Sequence, residues 1–332
     1  MSGTSYAQEE HGRRLSGYRV EDEVHASLTR MNELLAAGEQ AEPSGIDRPN
    51  LFIFGLPRSG TTLLYQLLAH ALDIGYVSNL AARFWLAPRA GLMLARSVLG
   101  NRRDGSFQSD YGKSLDPSGP HEFSYFWQHR LGIRDEADML RFGDPGEMVD
   151  WRSLRSILGT MQDVFDRGLV HKTNYAANVA PGIARHLQMP LFIRIERHPL
   201  AVALSILKAR HAYYGSSGTW WATHPPTFAE IKDLPFDRQI ARQVVDLGEV
   251  YRRVTSALDP DMVLSVTYDE LCRDPARLVA AVRERVRRVH GAEIGILNPP
   301  PARFREVPPP VPRTEEERAV AAALASLQET SA

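Results

Sequence analysis

A short loop at residues 55–62, GLPRSGTT, carries the side chains best suited to chemistry in this sequence. It follows the apolar run LFIF at 51–54 and leads into a second apolar run from Leu63. A helix that starts here would leave backbone N–H groups unpaired and carry partial positive charge, so an anion would be favoured. The pattern predicts a phosphate-binding loop. The plainer alternative is a strand–turn–helix corner whose serine and threonine only cap the helix.

The loop differs from the Walker A sequence of ATPases and GTPases at one position. Gly55 and Gly60 have the Walker spacing, but Thr61 stands where that motif requires lysine. The cation lies earlier, at Arg58. Because the missing lysine contacts the β- and γ-phosphates of a nucleoside triphosphate, the loop predicts anion binding without NTP hydrolysis.

A second candidate for chemistry is the pair His121-Glu122, which opens the aromatic segment HEFSYFWQHR at 121–130. An imidazole or a carboxylate beside apolar side chains can have its pKa moved towards neutrality, as a general base requires. The pair therefore predicts a base. The alternative is an aromatic core helix with a solvated start, in which Glu122 favours the positive end of the helix.

Strands and helices alternate along the chain in a way that would bring these residues together. Strand-like runs at 51–54, 169–174, 190–196 and 262–268 are separated by helical patterns. Such alternation predicts an α/β fold with a parallel sheet and a site at the carboxyl ends of its strands. The polar residues expected at those ends are Lys172, Thr173, Asn174, Glu196 and Arg197.

The chain divides into three predicted parts. Residues 1–48 form an N-terminal extension with a helix at 21–37, residues 49–295 form the main domain, and residues 296–332 form a proline-rich segment with a short helix. The main domain carries insertions at about 76–168 and 211–238. The first includes a basic helix at 89–103, expected to contact the acceptor, and a Gly/Ser/Pro-rich loop at 104–120. The second has the composition of a lid.

The composition restricts the class of protein. The chain has 332 residues, 43% hydrophobic and 24% charged, which fits a soluble globular protein with a large core. The net charge of −1 argues against bulk nucleic-acid binding. A single cysteine, Cys272, excludes an internal disulfide and a cysteine-based zinc site. No apolar segment has the pattern of a signal peptide or a membrane anchor, so a cytoplasmic location is expected.

Three further segments, taken with the loop, resemble a known enzyme family. They are ERHPLAVALS at 196–205, with Arg197 eight residues before Ser205, VTYDEL at 266–271, and HKTN at 171–174. In this order they resemble the sulfotransferases that use 3′-phosphoadenosine 5′-phosphosulfate (PAPS), the bacterial and carbohydrate-type branch more than the cytosolic small-molecule branch. The resemblance implies a P-loop NTPase-like three-layer fold, with a central parallel sheet flanked by helices, and a reaction that needs no metal.

The resemblance also implies roles for individual residues. The loop would hold the 5′-phosphosulfate, Arg197 and Ser205 would hold the 3′-phosphate, and Tyr268 would lie near the adenine. Arg58 and Lys172 would also neutralise the transferring sulfonate and the leaving phosphate, so they are expected to be catalytic. The residues expected to bind the donor are Arg58, Ser59, Gly60, Thr61, Thr62, Arg197, Ser205 and Tyr268.

One departure from the family bears on catalysis. Asn174 stands where the small-molecule branch has the histidine that acts as general base, and an amide takes no proton at neutral pH. The base is therefore expected elsewhere. The candidates, in order, are Glu122, His121, His171 and His211. Near the C-terminus, Arg303 and Arg305 are the only candidates for the family's last phosphate contact.

The sequence as a whole predicts transfer of a sulfuryl group from PAPS to a hydroxyl or amine of a carbohydrate, lipid or natural-product acceptor. A P-loop kinase or NTPase and a non-catalytic nucleotide-binding protein are the alternatives. An exposed aromatic loop would permit a homodimer. The aromatic residues that would either stack on the acceptor or belong to the core are Trp85, Tyr125, Trp127, Trp220 and Trp221.

Overall fold

Parallel strands form the centre of the fold, in the spatial order β2-β1-β3-β4. In the computed structural model these strands are β1 (Asn50–Gly55), β2 (Leu169–Lys172), β3 (Pro190–Glu196) and β4 (Val263–Thr267). The structure describes residues 15, 22–39, 42–112, 114–134, 138, 149–308 and 310–330. The register brings Gly55 beside Ile195 and Glu196 beside Thr267, so the strands end at a common carboxyl edge.

Helices surround the sheet and supply most of the remaining regular structure. Short 3₁₀ turns occur at Ala81–Arg83 and Pro260–Met262. The helices of the described chain are α1 (Asp22–Ala36), α2 (Thr61–Ala71), α3 (Pro88–Leu99), α4 (Ser124–Arg130), α5 (Trp151–Phe165), α6 (Tyr175–Asn178), α7 (Ala180–His186), α8 (Pro199–Tyr214), α9 (Phe228–Ile231), α10 (Phe236–Ser256), α11 (Tyr268–Arg273), α12 (Pro275–His290) and α13 (Glu315–Thr330).

The side chains of β1 alternate between two cores, which explains its unbroken apolar sequence. Leu51 and Ile53 face a core that α2 and α12 complete. Phe52 and Phe54 face the opposite core, which α4, α5 and the second half of α10 cover. The sheet is therefore buried on both faces. The predicted α/β, P-loop-like fold, a central parallel sheet flanked by helices, is confirmed.

A third core joins the C-terminal helix to the rest of the molecule. Val320 and Leu324 of α13 are buried against α8 and α10. At the end of α8, His211 pairs with Glu316 at 2.8 Å. The proline-rich stretch that precedes α13 has no helix or strand among its described residues, as predicted.

Several predicted segments need correction. The helix expected at 89–103 ends at Leu99 and packs on α5, where Arg96 donates to the carbonyl of Val164, so no contact with the predicted acceptor side supports its expected role. The insertion expected from residue 211 starts later, because α8 continues to Tyr214. The helical pattern between β2 and β3 forms two short helices, α6 and α7. Predictions for residues 1–14, 16–21, 135–137 and 139–148 lie outside the described residues.

Candidate active site

The predicted phosphate-binding loop connects β1 to α2 at the carboxyl edge of the sheet. Gly60 precedes α2 with φ 106°, a left-handed conformation that glycine adopts without strain. A Cβ at Gly60 would lie 2.6 Å from Cδ2 of Tyr268, and a Cβ at Gly55 would lie 2.5 Å from the carbonyl oxygen of Ile195. Neither position has room for a side chain, so glycine is required at both. The loop is packed between β3 and Tyr268, the first residue of α11.

The loop provides hydrogen-bond donors for an anion. The N-terminus of α2 supplies backbone N–H groups and partial positive charge. Oγ of Ser59 is fully buried and has no hydrogen-bond partner among the described residues. Because buried hydroxyls are normally paired, an unpaired one beside a helix N-terminus is consistent with a ligand-binding loop.

Two arginines meet at this loop. Nε of Arg58 donates to Oγ of Ser205 at 2.9 Å, and Nη1 of Arg197 donates to the carbonyl of Arg58 at 3.1 Å. The guanidinium of Arg197 also lies 4.2 Å from the ring centre of Tyr268. The fold therefore brings together all four residues, although they come from the loop, the end of β3, α8 and α11.

The charge of these arginines is not neutralised within the described part of the chain, where neither has an ion pair within 4.0 Å. Burial is the main cause that lowers the pKa of Arg58. Tyr111 opposes it, the neighbouring charge of Arg197 lowers the pKa by less than Tyr111 raises it, and Tyr213 and Asp110 oppose by smaller amounts. An acidic residue, Glu196, precedes Arg197 in the sequence. Glu196 pairs with Arg194 at 2.6 Å.

A lysine and a carboxylate lie on the other side of the loop. Nζ of Lys172 donates to Oγ1 of Thr62 at 2.7 Å and forms an ion pair with Glu122. The side chain of Lys172 is 7% exposed, whereas that of Glu122 is 47% exposed. Glu122 is therefore accessible from solvent. The ammonium group of Lys172 lies between Glu122 and the loop and contacts both.

The predicted histidines occupy different environments. Nδ1 of His121 accepts from the backbone N–H of Phe123 at 2.9 Å, so the proton of the neutral ring lies on Nε2. His171 is buried between Phe52 and Trp127, and burial lowers its pKa to about 3. His211 lies at the end of α8 beside Glu316. His121 and Glu122 are both exposed, and Glu122 is the one that pairs with Lys172 beside the loop.

Asn174 lies just beyond β2, two residues after Lys172. Its Nδ2 donates to Oγ1 of Thr223 at 3.3 Å, and its Oδ1 is buried without a partner among the described residues. The amide thus connects the end of the strand to the second insertion.

The Gly/Ser/Pro-rich loop at 104–120 approaches the phosphate-binding loop. The ring centre of Tyr111 lies 5.1 Å from the guanidinium of Arg58. A Cβ at Gly112 would lie 3.4 Å from Oγ1 of Thr62 and 3.8 Å from Nζ of Lys172. Sequence reasoning missed this contact because nothing in a flexible composition fixes where such a loop lies.

Side-chain amides hold both insertions in place, and they too were missed. Nδ2 of Asn79 donates to the carbonyls of Ser114 and Asp116 in the first loop. Gln239 and Gln243, one turn apart on α10, bind four carbonyls of the second insertion: those of Lys232 and Leu234, and of Trp221 and Thr223. The signal in the sequence was a pair of amide side chains, Gln239 and Gln243, spaced one helical turn apart.

The five aromatic residues considered as acceptor contacts lie in different parts of the fold. Trp85 and Trp127 are buried in the core, and Tyr125 packs on Trp85 at 5.1 Å between ring centres. Trp220 and Trp221 are half-buried in the second insertion. Trp221 also packs against the third core.

The described residues contain no group of three or more His, Cys, Asp or Glu side chains arranged to hold a metal ion. None of the described helices combines the length and the apolar character needed to cross a membrane.

The chain belongs to the sulfotransferase family, which it matches over residues 49–287. The predicted family is confirmed, and the protein is a sulfotransferase. The kinase, NTPase and non-catalytic alternatives are therefore not retained. No curated protein sequence matches the chain.

Solved bacterial sulfotransferases resemble the chain at low identity. The sulfotransferase STF9 from Mycobacterium avium is 14% identical, with a TM-score of 0.49 over 91% of this chain and 72% of that one. STF1 from Mycobacterium tuberculosis is 14% identical, with a TM-score of 0.44 over 80% and 89%. A sulfotransferase from Alicyclobacillus acidocaldarius is 17% identical, with a TM-score of 0.38 over 86% and 96%.

Proposed function

We propose that the protein transfers a sulfuryl group from PAPS to a hydroxyl or amine of a small-molecule, lipid or carbohydrate acceptor, and that residues 49–295 form the catalytic domain. The observation that carries the proposal is the pair Arg58 and Arg197. Two partly buried guanidinium groups repel each other, so the pair is stabilised when an anion with several charges lies between or beside them. PAPS carries a phosphosulfate and a separate 3′-phosphate, and two such groups suit two arginines.

The residues around the loop fit this donor. Ser59 and the N-terminus of α2 would bind the phosphosulfate, and Arg197 with Ser205 would bind the 3′-phosphate. Ser205 already accepts from Arg58, so the two phosphate contacts would be connected. The ring of Tyr268, which packs under Gly60 and Arg197, provides an aromatic surface for the base.

The chemistry needs one proton acceptor and several cations. PAPS supplies a sulfuryl group on a good leaving phosphate. The acceptor oxygen or nitrogen forms the new bond to sulfur as the bond from sulfur to the phosphate oxygen breaks, and the acceptor's proton passes to Glu122. Lys172 and Arg58 stabilise the negative charge that develops on the sulfonate and the phosphate. In this scheme Lys172 exchanges its partner Glu122 for the donor.

Binding and transfer test the proposal separately. Calorimetry should show that adenosine 3′,5′-bisphosphate binds more tightly than ATP with Mg²⁺. Incubation with ³⁵S-labelled PAPS and a panel of phenols, sugars, lipids and amines should label at least one acceptor. A preference for ATP with Mg²⁺, or binding of neither nucleotide, would contradict the proposed donor. Binding without transfer to any member of the panel would contradict the proposed acceptor chemistry.

A further inference from the structure

Arg210, in the last part of α8, is the most completely buried charged side chain outside the site described above. Its exposure is 0%. Nη1 donates to the carbonyl of Ser217 at 3.0 Å and to Oε1 of Gln239 at 2.9 Å. The guanidinium lies 5.1 Å from the ring centre of Trp220. Arg210 thus contacts the second insertion and the helix that holds it.

One whole edge of this guanidinium lacks a partner. Nε and Nη2 are both buried, and neither has a hydrogen-bond partner among the described residues. These two N–H groups point in parallel from the same side of the planar group, which is the edge that grips a carboxylate or a phosphate with two hydrogen bonds. The unpaired atoms therefore form a fork with the geometry of an oxyanion site.

Burial of the positive charge of Arg210 costs free energy. Arg210 forms no ion pair with an acidic side chain of the described chain, and burial lowers its pKa to about 10. A buried charge without a counter-ion is unfavourable, and contact with one indole ring offsets only part of that cost. An arriving anion would supply both the missing charge and the missing hydrogen-bond acceptors.

Arg210 lies on the same helix as Ser205, a residue of the candidate site. It lies five residues after Ser205 on α8, which corresponds to about 7.5 Å along the helix axis. Tyr213, one turn further, has its ring centre 5.9 Å from that of Tyr111, which in turn contacts Arg58. Tyr213 also packs on Trp221, with 5.8 Å between ring centres. The adjacent Trp220 contacts Arg210, so aromatic side chains connect the phosphate-binding loop to the segment around Arg210.

We propose that Arg210 is the binding site for an oxyanion group, a carboxylate or a phosphate, carried by the acceptor at a distance from its reacting hydroxyl or amine. The proposal rests on the proposed function. The protein would accordingly favour acidic acceptors over neutral ones. Because the free edge is closed to solvent in this structure, the anion enters as the segment 215–235 shifts, and Ser217 and Trp220 are the contacts that move.

The first test asks whether an anion binds at Arg210 itself. The Nε–H resonance of Arg210 is followed by ¹⁵N NMR during titration with acetate, and with acetamide as the neutral control; it is assigned by its absence from Arg210→Lys. A saturable shift with acetate alone is expected, and it should persist when adenosine 3′,5′-bisphosphate fills the donor site. An equal response to acetamide, or no saturable response to acetate, would overturn the proposal.

The second test asks whether that anion belongs to the acceptor. Matched hydroxy acids and hydroxy amides are compared as acceptors. The acid of at least one pair should have a kcat/KM at least tenfold higher in the wild type, and Arg210→Lys should lose that ratio while its kcat with the amide stays within threefold. Lys208→Met, which removes an exposed charge from the same helix, should keep the ratio. If no pair shows the preference, or if Arg210→Lys retains it, the acceptor assignment is wrong.

The two proposals fail in distinguishable ways. If Arg210 does not bind an oxyanion, nucleotide binding and sulfuryl transfer should still be observed. Failure of the proposed function would appear as absent nucleotide binding or absent transfer, whereas the acetate titration would still report on Arg210.

Discussion

At the scale of single residues, the proposed donor contacts lie apart from the proposed proton acceptor. Arg58, Arg197 and Ser205 meet on one side of the loop, and Lys172 with Glu122 on the other. This separation means that substitutions on the two sides should affect different measurable quantities.

Glu122→Gln should abolish proton acceptance without disturbing the donor site. We expect turnover to fall by about 10²–10⁴-fold, the usual contribution of a general base. Affinity for adenosine 3′,5′-bisphosphate, measured by calorimetry, should not fall. Glu196→Gln is the matched control, because Glu196 is also paired with a cation at the sheet edge and is 49% exposed. Near-full activity of Glu122→Gln would indicate that His121, and not Glu122, is the general base.

Arg58→Ala should weaken nucleotide binding. Loss of a charged contact to a phosphate group in a partly buried site costs about 2–4 kcal/mol of binding free energy. Calorimetry with adenosine 3′,5′-bisphosphate measures it. Arg194→Ala provides the control, since Arg194 is half-buried on β3 but pairs with Glu196 rather than facing the loop. Equal losses in the two variants would argue against a specific role for Arg58.

Sequence reasoning selected these residues as candidates but did not predict all of their contacts. The donors at 58–62 were predicted because a glycine-containing turn between a strand and a helix has few alternative structures. The bond from Arg58 to Ser205 was not predicted, because it depends on how α8 packs beside the loop. The ion pair of Arg194 with Glu196 and the buried ring of His171 also depend on packing that the sequence pattern does not show.

At the scale of elements, the bounds of strands were predicted better than the paths of loops. β3 was predicted at its observed bounds because it is apolar and is followed directly by Arg-His-Pro. The insertions depend on amide groups, such as Gln243 and Asn79, that bind carbonyls about 20 to 40 residues away. Such contacts leave no periodic pattern in the sequence, so the sequence did not predict that α10 holds the second insertion in place.

Gly60→Ala tests the close packing between the loop and α11. The added Cβ must displace the ring of Tyr268, and the residue must also keep a positive φ. Gly291→Ala isolates the second effect, because Gly291 has φ 64° and open space around it. We expect Gly291→Ala to cost about 1–2 kcal/mol of unfolding free energy and no nucleotide affinity. Gly60→Ala should cost more stability and should also weaken nucleotide binding. Equal behaviour of the two variants would contradict this packing.

The buried histidine of β2 should make stability sensitive to acid. The pKa of His171 is lowered from 6.5 to about 3 in the folded protein, so below pH 6.5 the unfolded chain binds a proton that the folded chain does not. Stability therefore falls as the pH drops from 6.5 towards 3, by about 1.4 kcal/mol per pH unit. Urea unfolding at pH 7 and pH 5 should show a smaller loss for His171→Phe than for the wild type, by about 2 kcal/mol. An identical pH dependence would place the sensitivity elsewhere, for example at His224, whose pKa is also lowered by burial.

At the scale of the whole molecule, the C-terminal helix is part of the folded unit. Leu324 is 3% exposed in the core that α13 shares with α8 and α10. We expect Leu324→Ala to lower the unfolding free energy by about 2–5 kcal/mol, as measured by urea denaturation. Leu34→Ala is the control, because Leu34 is 73% exposed on α1 and its loss should change stability by less than about 0.5 kcal/mol. Similar small losses in both variants would contradict the packing of α13.

The order of strands in the sheet also has a consequence during protein synthesis. β1 lies between β2 and β3, yet its first partner begins at residue 169, long after β1 ends at residue 55. At ribosomal speeds of about 5–20 residues per second, the LFIF segment of the nascent chain waits about 6–23 s for a neighbour. An unpaired apolar strand is prone to pair with other chains during that interval. The yield of folded enzyme from cells should therefore depend on chaperones that bind the chain before its second strand emerges.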